Sequence, residues 1–145
     1  MSRLSFGALL LLTLMFGNNS VTVARSDRAP PILLEKAVAA YKLKGVNSFL
    51  PILLGSPLAV DSHHNFLTIL NKVEIIYGKY IGLEMVDTLT VSGSTRIVFF
   101  IMQYQRGPLY GVLTVYEVNG KESITGFKVH TEIHHVIPES ILSKL

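Results

Sequence analysis

Four β-prone segments follow one another in the second half of the chain: LEMVDTLTV (83–91), TRIVFFIMQY (95–104), LYGVLTVYEV (109–118) and ESITGFKVHTEI (122–133). Each is rich in valine, isoleucine, threonine and aromatic residues, which suit a pleated, half-buried surface. Turn signals separate them: Ser92-Gly93-Ser94, Arg106-Gly107-Pro108 and Asn119-Gly120. Asn119-Gly120 is the strongest of these, because a two-residue type I′ hairpin needs positive φ at both central residues. Pro108 limits ladder bonding at its end of the third strand. The pattern predicts a four-stranded antiparallel sheet.

Upstream of Gly82 the hydrophobic period is helical. Pro31 suits a first helical turn, where its missing N–H costs nothing. Leu34, Ala37, Val38 and Tyr41 then follow helical spacing, and Gly45 ends the helix. A short second helix is predicted over 47–54, with Gly55 as its stop and a loop from Ser56-Pro57. In the third helix, Asp61 or Ser62 is the expected N-cap. Phe66, Ile69, Leu70, Val73, Ile76, Tyr77 and Tyr80 form its apolar stripe, and Gly78 and Gly82 bracket its exit. The expected class is α+β, with three N-terminal helices packed on a curved four-stranded antiparallel sheet.

The chain of 145 residues suits one domain. Arg3, an apolar run over 4–16 and Thr22-Val23-Ala24 read as a secretory signal peptide over 1–24, leaving a domain over 25–145. The alternative, an uncleaved anchor, requires a longer apolar run, since a bilayer span takes about 20 residues. The Asn18-Asn19-Ser20 sequon then falls inside the leader. An exported, periplasmic or secreted protein is expected, with no transmembrane segment in its mature chain. Loss of Arg3 lowers the formal charge from +3 to +2. No lysine and arginine stripe tracks a phosphate backbone, so nucleic acid is not an expected partner. The chain has no cysteine, which excludes disulfides, thiolate metal sites and cysteine catalysis.

The Asn119-Gly120 turn pairs Val118 with Lys121. Counting back pairs Tyr116 with Ser123, Thr114 with Thr125 and Val112 with Phe127. Tyr110, Val112, Thr114, Tyr116, Phe127 and Val129 then share one face, joined by Ile97, Phe99 and Ile101 across the tight Arg106-Gly107 turn. Leu109, Leu113, Val115, Ile124, Lys128 and His130 share the other with Val98, Phe100, Met102 and Tyr104. Both faces are apolar at the centre, whereas a half-exposed sheet alternates apolar and polar residues. Helices are expected over the Phe99 and Phe127 face. The Phe100 and Leu113 face then needs a ligand, a second subunit or the C-terminal segment. Val98, Phe100, Met102, Leu109, Leu113, Val115 and Ile124 form its expected homodimer surface.

The element order, with Tyr77-Gly78-Lys79-Tyr80-Ile81-Gly82, Glu84, Arg96, Tyr104-Gln105-Arg106-Gly107-Pro108-Leu109, Val115-Tyr116 and Gly126-Phe127-Lys128-Val129, resembles the nuclear-transport-factor-2-like superfamily. More narrowly, the chain resembles small exported bacterial proteins of that superfamily to which no reaction is assigned. The resemblance spans the mature chain and implies a cone-shaped, cystatin-like α+β fold. Ketosteroid-isomerase-like and dehydratase-like relatives place an Asp or His base beside a Tyr donor inside the cone. Here Asp87 lies on the first strand, whose register the sequence does not fix, and Tyr110 and Tyr116 could be donors but have no evident paired base; the enolising chemistry needs a tuned base near its proton. No catalytic function is carried over, and no cofactor is expected.

Phe66, Tyr77, Phe99, Tyr110, Tyr116 and Phe127 are the expected cone lining; they either enclose a small apolar or aromatic ligand or fill the core. Tyr77, Tyr80 and Tyr104 read equally as core residues at the sheet edge, each needing a partner for its hydroxyl. His63-His64, His130 and His134-His135 lack a clean i, i+4 helical or i, i+2 strand pair, so metal binding is not expected. Arg96 and Arg106 read as edge protection or surface pairing. The functional expectation is a noncatalytic, homodimerising interaction or structural module. Its alternatives are a ligand-binding cone and a lyase or isomerase.

Overall fold

The computed structural model describes residues 29–55 and 60–145. The proposed leader and its cleavage site at Ala24, the Asn18 sequon and the Ser56-Pro57 loop lie outside the described residues. The same holds for the side chains of Asp61, Ser62, His63 and His64.

The elements run α1 (Ile32–Lys44), a 3₁₀ turn (Val46–Ser48), α2 (Phe49–Leu54), α3 (Val60–Tyr77), β1 (Tyr80–Thr90), β2 (Thr95–Tyr104), β3 (Gly107–Val118), β4 (Lys121–His130), a second 3₁₀ turn (Ile133–His135) and α4 (Glu139–Leu142). The strands form one open antiparallel sheet in the order β1-β2-β3-β4. The class is α+β. Pro31 precedes α1, and Gly45 and Gly55 follow α1 and α2. Asn119 and Gly120 adopt φ of 52° and 72°, the left-handed pair that the β3–β4 hairpin requires.

The hairpin register begins as expected, with Val118 opposite Lys121 and Tyr116 opposite Ser123. It then breaks. Val115 pairs with Ile124, and Thr114 pairs with Gly126, so Thr125 is an extra residue on β4. This is a β-bulge, in which two residues of one strand oppose one of its partner. Beyond it Phe127 pairs with Leu113 and Lys128 with Val112. A shift of one residue transfers every later side chain to the opposite face. Phe127 and Val129 therefore join Leu113 and Phe100, while Lys128 and His130 join Val112 and Phe99.

That shift corrects the expected assignment of covers. The helices lie over the Phe100 and Leu113 face, with α1 against β1 and β4, α2 against β4 and α3 against β3. Val98, Phe100, Met102, Leu109, Leu113, Val115 and Ile124 are all buried there with Leu34, Phe49, Leu50, Leu53 and Leu70. These seven are core residues, so none is available as a dimer surface. The Phe99 face is covered by the C-terminal segment. Phe99 forms a second cluster with Val136, Ile137 and Ile141, against which Val86, Ile97, Tyr110, Val112, Ile133 and Leu142 pack. The α3 stripe is narrower than its sequence pattern: Leu70 and Val73 are buried, but Ile69 and Ile76 are exposed.

Two local devices lock the helices to the sheet. Glu122 of β4 pairs with Arg96 of β2 across β3, and its other carboxylate oxygen accepts the Ile32 N–H at 2.8 Å. A carboxylate at a helix N-terminus satisfies an orphan donor and complements the helix dipole. At the other end of the helical layer, the Arg106 guanidinium donates to Ile75 O at 3.2 Å and the Arg106 N–H donates to Tyr77 O at 2.8 Å. The β2–β3 turn thus caps the C-terminus of α3. Arg96 lies on the interior strand β2 and pairs with the largely buried Glu122, so it is not an edge residue, and Arg106 bonds backbone carbonyls rather than an acidic partner.

Gly111 lies opposite Phe100 in the ladder, and the Phe100 ring occupies the space that a Cβ at residue 111 would need. Gly111→Ala therefore displaces a fully buried ring and is expected to cost about 1–3 kcal/mol, the usual range for overpacking. Urea unfolding monitored by circular dichroism measures it. Deleting Thr125 removes the bulge but leaves its flanking pairs in place, Val115 with Ile124, Thr114 with Gly126 and Leu113 with Phe127, so Phe127 and Val129 stay inward. That variant is expected to retain a cooperative urea transition, whereas inserting one residue after Gly126, which turns Phe127 and Val129 outward, is expected to lose it and bind a hydrophobic dye.

Candidate functional site

The six residues expected to line one cavity divide among three environments. Phe66, Tyr77 and Phe127 pack against the helix-covered core. Phe99 and Tyr110 belong to the cluster under the C-terminal segment. Tyr116 is exposed near the β3–β4 hairpin. The centre of the helix-covered side is filled by rings. Phe66 and Phe127 meet edge to face at 4.7 Å, Phe49 lies 6.1 Å from Phe127 and 6.4 Å from Phe66, and Phe100 stacks 6.1 Å from Phe127. Such contacts are ordinary aromatic packing distances. Asp87 lies opposite Phe99, on the outer face, and its Oδ1 accepts the Thr88 N–H at 2.7 Å.

A polar network lies where α1, α3 and the starts of β1 and β2–β3 converge. Tyr41 comes from α1, Glu74 from α3, Tyr80 from β1 and Tyr104 from the end of β2. The Tyr41 hydroxyl donates to Glu74 Oε1 at 3.0 Å and lies 3.3 Å from the Tyr104 hydroxyl. A phenol has one proton to give. With that of Tyr41 committed to the carboxylate, Tyr104 donates to Tyr41. The Tyr80 ring stacks on Tyr41 at 4.7 Å and meets Tyr104 edge to face at 5.7 Å. Helical spacing placed Tyr41 on an inward face; Tyr80, expected on the stripe of the third helix, instead opens β1, because Gly78 ends the helix first, and Glu74 carries no sequence signal of its role. Its partner is 33 residues away, and only packing brings the two together.

Burial, which disfavours a phenolate, controls the acid–base character of this network. It raises the Tyr41 pKa far above the ordinary phenol value, with added contributions from the hydrogen bonds to Tyr104 and Glu74. Burial also pushes Tyr104 and Tyr80 up to about 12. All three remain neutral at physiological pH and none is a phenolate base. Two clefts flank the network. One of about 320 Å³ is lined by Asn71, Glu74, Ile75, Gly78, Lys79 and Gln105, and one of about 330 Å³ by Ile81, Gln103, Tyr104, Gly107 and Pro108. Both open to solvent.

A second polar cluster follows β4. His130, Glu132 and His135 bring one ligand-type atom each within 4.8 Å of the others. Sequence spacing within regular elements did not find it, because the residues straddle a strand end and a 3₁₀ turn. No helix among the described residues is long and apolar enough to cross a membrane. No protein-family model, curated protein or solved structure matches the chain.

The raised phenol pKa values set a sign for stability against pH. Below pH 10 the tyrosines are protonated in both folded and unfolded chains. Between pH 10 and about 12 the unfolded chain loses these protons while the native state keeps them. Stability is therefore full below pH 10 and falls as pH rises through that window, by up to about 1.4 kcal/mol per pH unit for each such tyrosine. Urea unfolding between pH 9 and 11.5 measures the slope, and Tyr104→Phe is expected to reduce it.

Proposed function

We propose that this chain is a noncatalytic exported domain of the nuclear-transport-factor-2-like superfamily that pairs with a second copy of itself through the outer face of its sheet. The observation that carries the reading is an exposed apolar patch beyond the C-terminal cover, with Lys121 at its rim opposite Val118. Leu89, Val91, Tyr116 and Val118 are between 39 and 62 % exposed. The register places them together. Leu89, Ile97 and Thr114 form one row, and Thr95 pairs with Tyr116 in the next, beside Val91, which hydrogen-bonds Thr95. Side chains two residues apart along a strand share a face, so the rows are continuous. An isologous dimer would bury this same patch on both copies about a two-fold axis.

The noncatalytic part of the reading has its own support. The ring-filled interior argues against a ligand-binding cone. The outward position of Asp87 and the neutral tyrosines, of which Tyr41 and Tyr104 are hydrogen-bonded to each other, argue against a lyase or isomerase centre of the ketosteroid-isomerase type. The element order, helices followed by a four-stranded antiparallel sheet, supports the cone-shaped superfamily fold. Export rests on the N-terminal leader pattern.

Sedimentation velocity of the exported protein across micromolar concentrations tests the association. A species of twice the chain mass is expected. Tyr116→Glu and Val118→Lys are expected to convert it to monomer with an unchanged melting temperature, since both side chains are exposed. A monomer throughout the concentration range, or a dimer untouched by both substitutions, overturns the reading.

A further inference from the structure

The bulge in β4 turns His130 to the outer face, where the chain leaves the sheet and bends into the second 3₁₀ turn. The Glu132 N–H donates to His130 Nδ1 at 2.9 Å, which holds that nitrogen as an unprotonated acceptor. His135 Nε2 lies 3.0 Å from Glu132 Oε2. The His130 and His135 ring centroids lie 4.3 Å apart, with the rings tilted by 48°. Two imidazoles and a carboxylate thus converge from six residues of chain. Ligands of a tetrahedral zinc ion sit roughly 3.3 Å apart, given metal–ligand bonds of about 2.0–2.2 Å. The three ligand-type atoms already lie within 4.8 Å of one another, so small side-chain rotations suffice. Glu132 and His135 are solvent-exposed and free to make them.

The scaffold under the cluster is firm on both sides. His130 ends a paired strand, opposite Tyr110. After the turn, Val136 and Ile137 insert into the cluster around Phe99. Lys128 Nζ donates to His135 O at 2.8 Å and pins the turn to β4. The ammonium opposes a bound cation, and the Glu132 carboxylate offsets it.

We infer that His130, Glu132 and His135 form a site for a divalent transition-metal ion of the zinc, nickel or copper(II) class, and that the bound ion clasps the C-terminal cover to the end of β4. Imidazole and carboxylate donors without a thiolate select this class. A metal competes with the Glu132 N–H for the His130 lone pair, exchanging a hydrogen bond for a coordinate bond. Three protein ligands leave further coordination positions for water. The inference does not depend on self-association.

Untagged, chelator-treated protein titrated with zinc chloride in a calorimeter tests the site, with nickel and copper(II) chloride as comparison ions. One ion per chain is expected. His135→Ala and Glu132→Gln are each expected to weaken binding by about tenfold or more, the scale on which metal-site residues act. His134→Ala is the control, because His134 faces Glu139 at 3.7 Å and lies outside the cluster. Hydrogen exchange at the Val136, Ile137 and Ile141 amides reads the clasp and is expected to slow on zinc binding. Absence of saturable binding by all three ions, or binding undiminished in His135→Ala and Glu132→Gln, overturns the site. Binding without slower exchange overturns the clasp.

Discussion

One inserted residue on one strand determines how this protein packs. The bulge at Thr125 divides β4 into two registers. Before it, Ile124 faces the helices opposite Val115; after it, Phe127 and Val129 do. An unbroken register would have sent Phe127 outward and Lys128 inward. A charged lysine under α2 would need a partner or would oppose folding, because an unpaired buried charge costs several kcal/mol. With the bulge, one face becomes continuously apolar and the other mixed, which gives the helices a definite side to occupy.

The other contacts depend on that choice. With α1 on the Phe100 face, its N-terminus reaches Glu122, and the Arg96–Glu122 pair ties α1, β2 and β4 at one corner. With α3 on the same side, its C-terminus receives the β2–β3 turn, and Glu74 meets Tyr41. The outer face, left with Phe99, Tyr110 and Val112 at its centre, is closed by Val136, Ile137 and Ile141. The polar cluster at His130 exists only because the same shift turned His130 toward that segment.

Much of the architecture was legible in the residues. Turn chemistry at Asn119-Gly120 located a hairpin, and the strand and helix periods placed nearly every element. The two apolar faces were also legible, and so was the C-terminal segment as one of three possible covers. Gly126, a glycine inside a strand pattern, was the available sign of a bulge. The site residues were less legible. Glu74 sits on a polar helical position like any solvated glutamate, and His130, Glu132 and His135 follow neither helical nor strand spacing. Their meeting depends on the angle of a turn, which side-chain types do not encode.

By itself the sequence determined the α+β class, the antiparallel sheet, the hairpin turn and the absence of thiol chemistry. These follow from local propensity, periodicity and composition, each set within a few neighbouring residues. Only the tertiary structure decided which face of the sheet the helices cover and which the C-terminus covers. Both faces carry enough apolar surface to be buried, and the burial of apolar area has no direction of its own. A single extra residue broke the tie, and its effect is felt only through pairing with another strand.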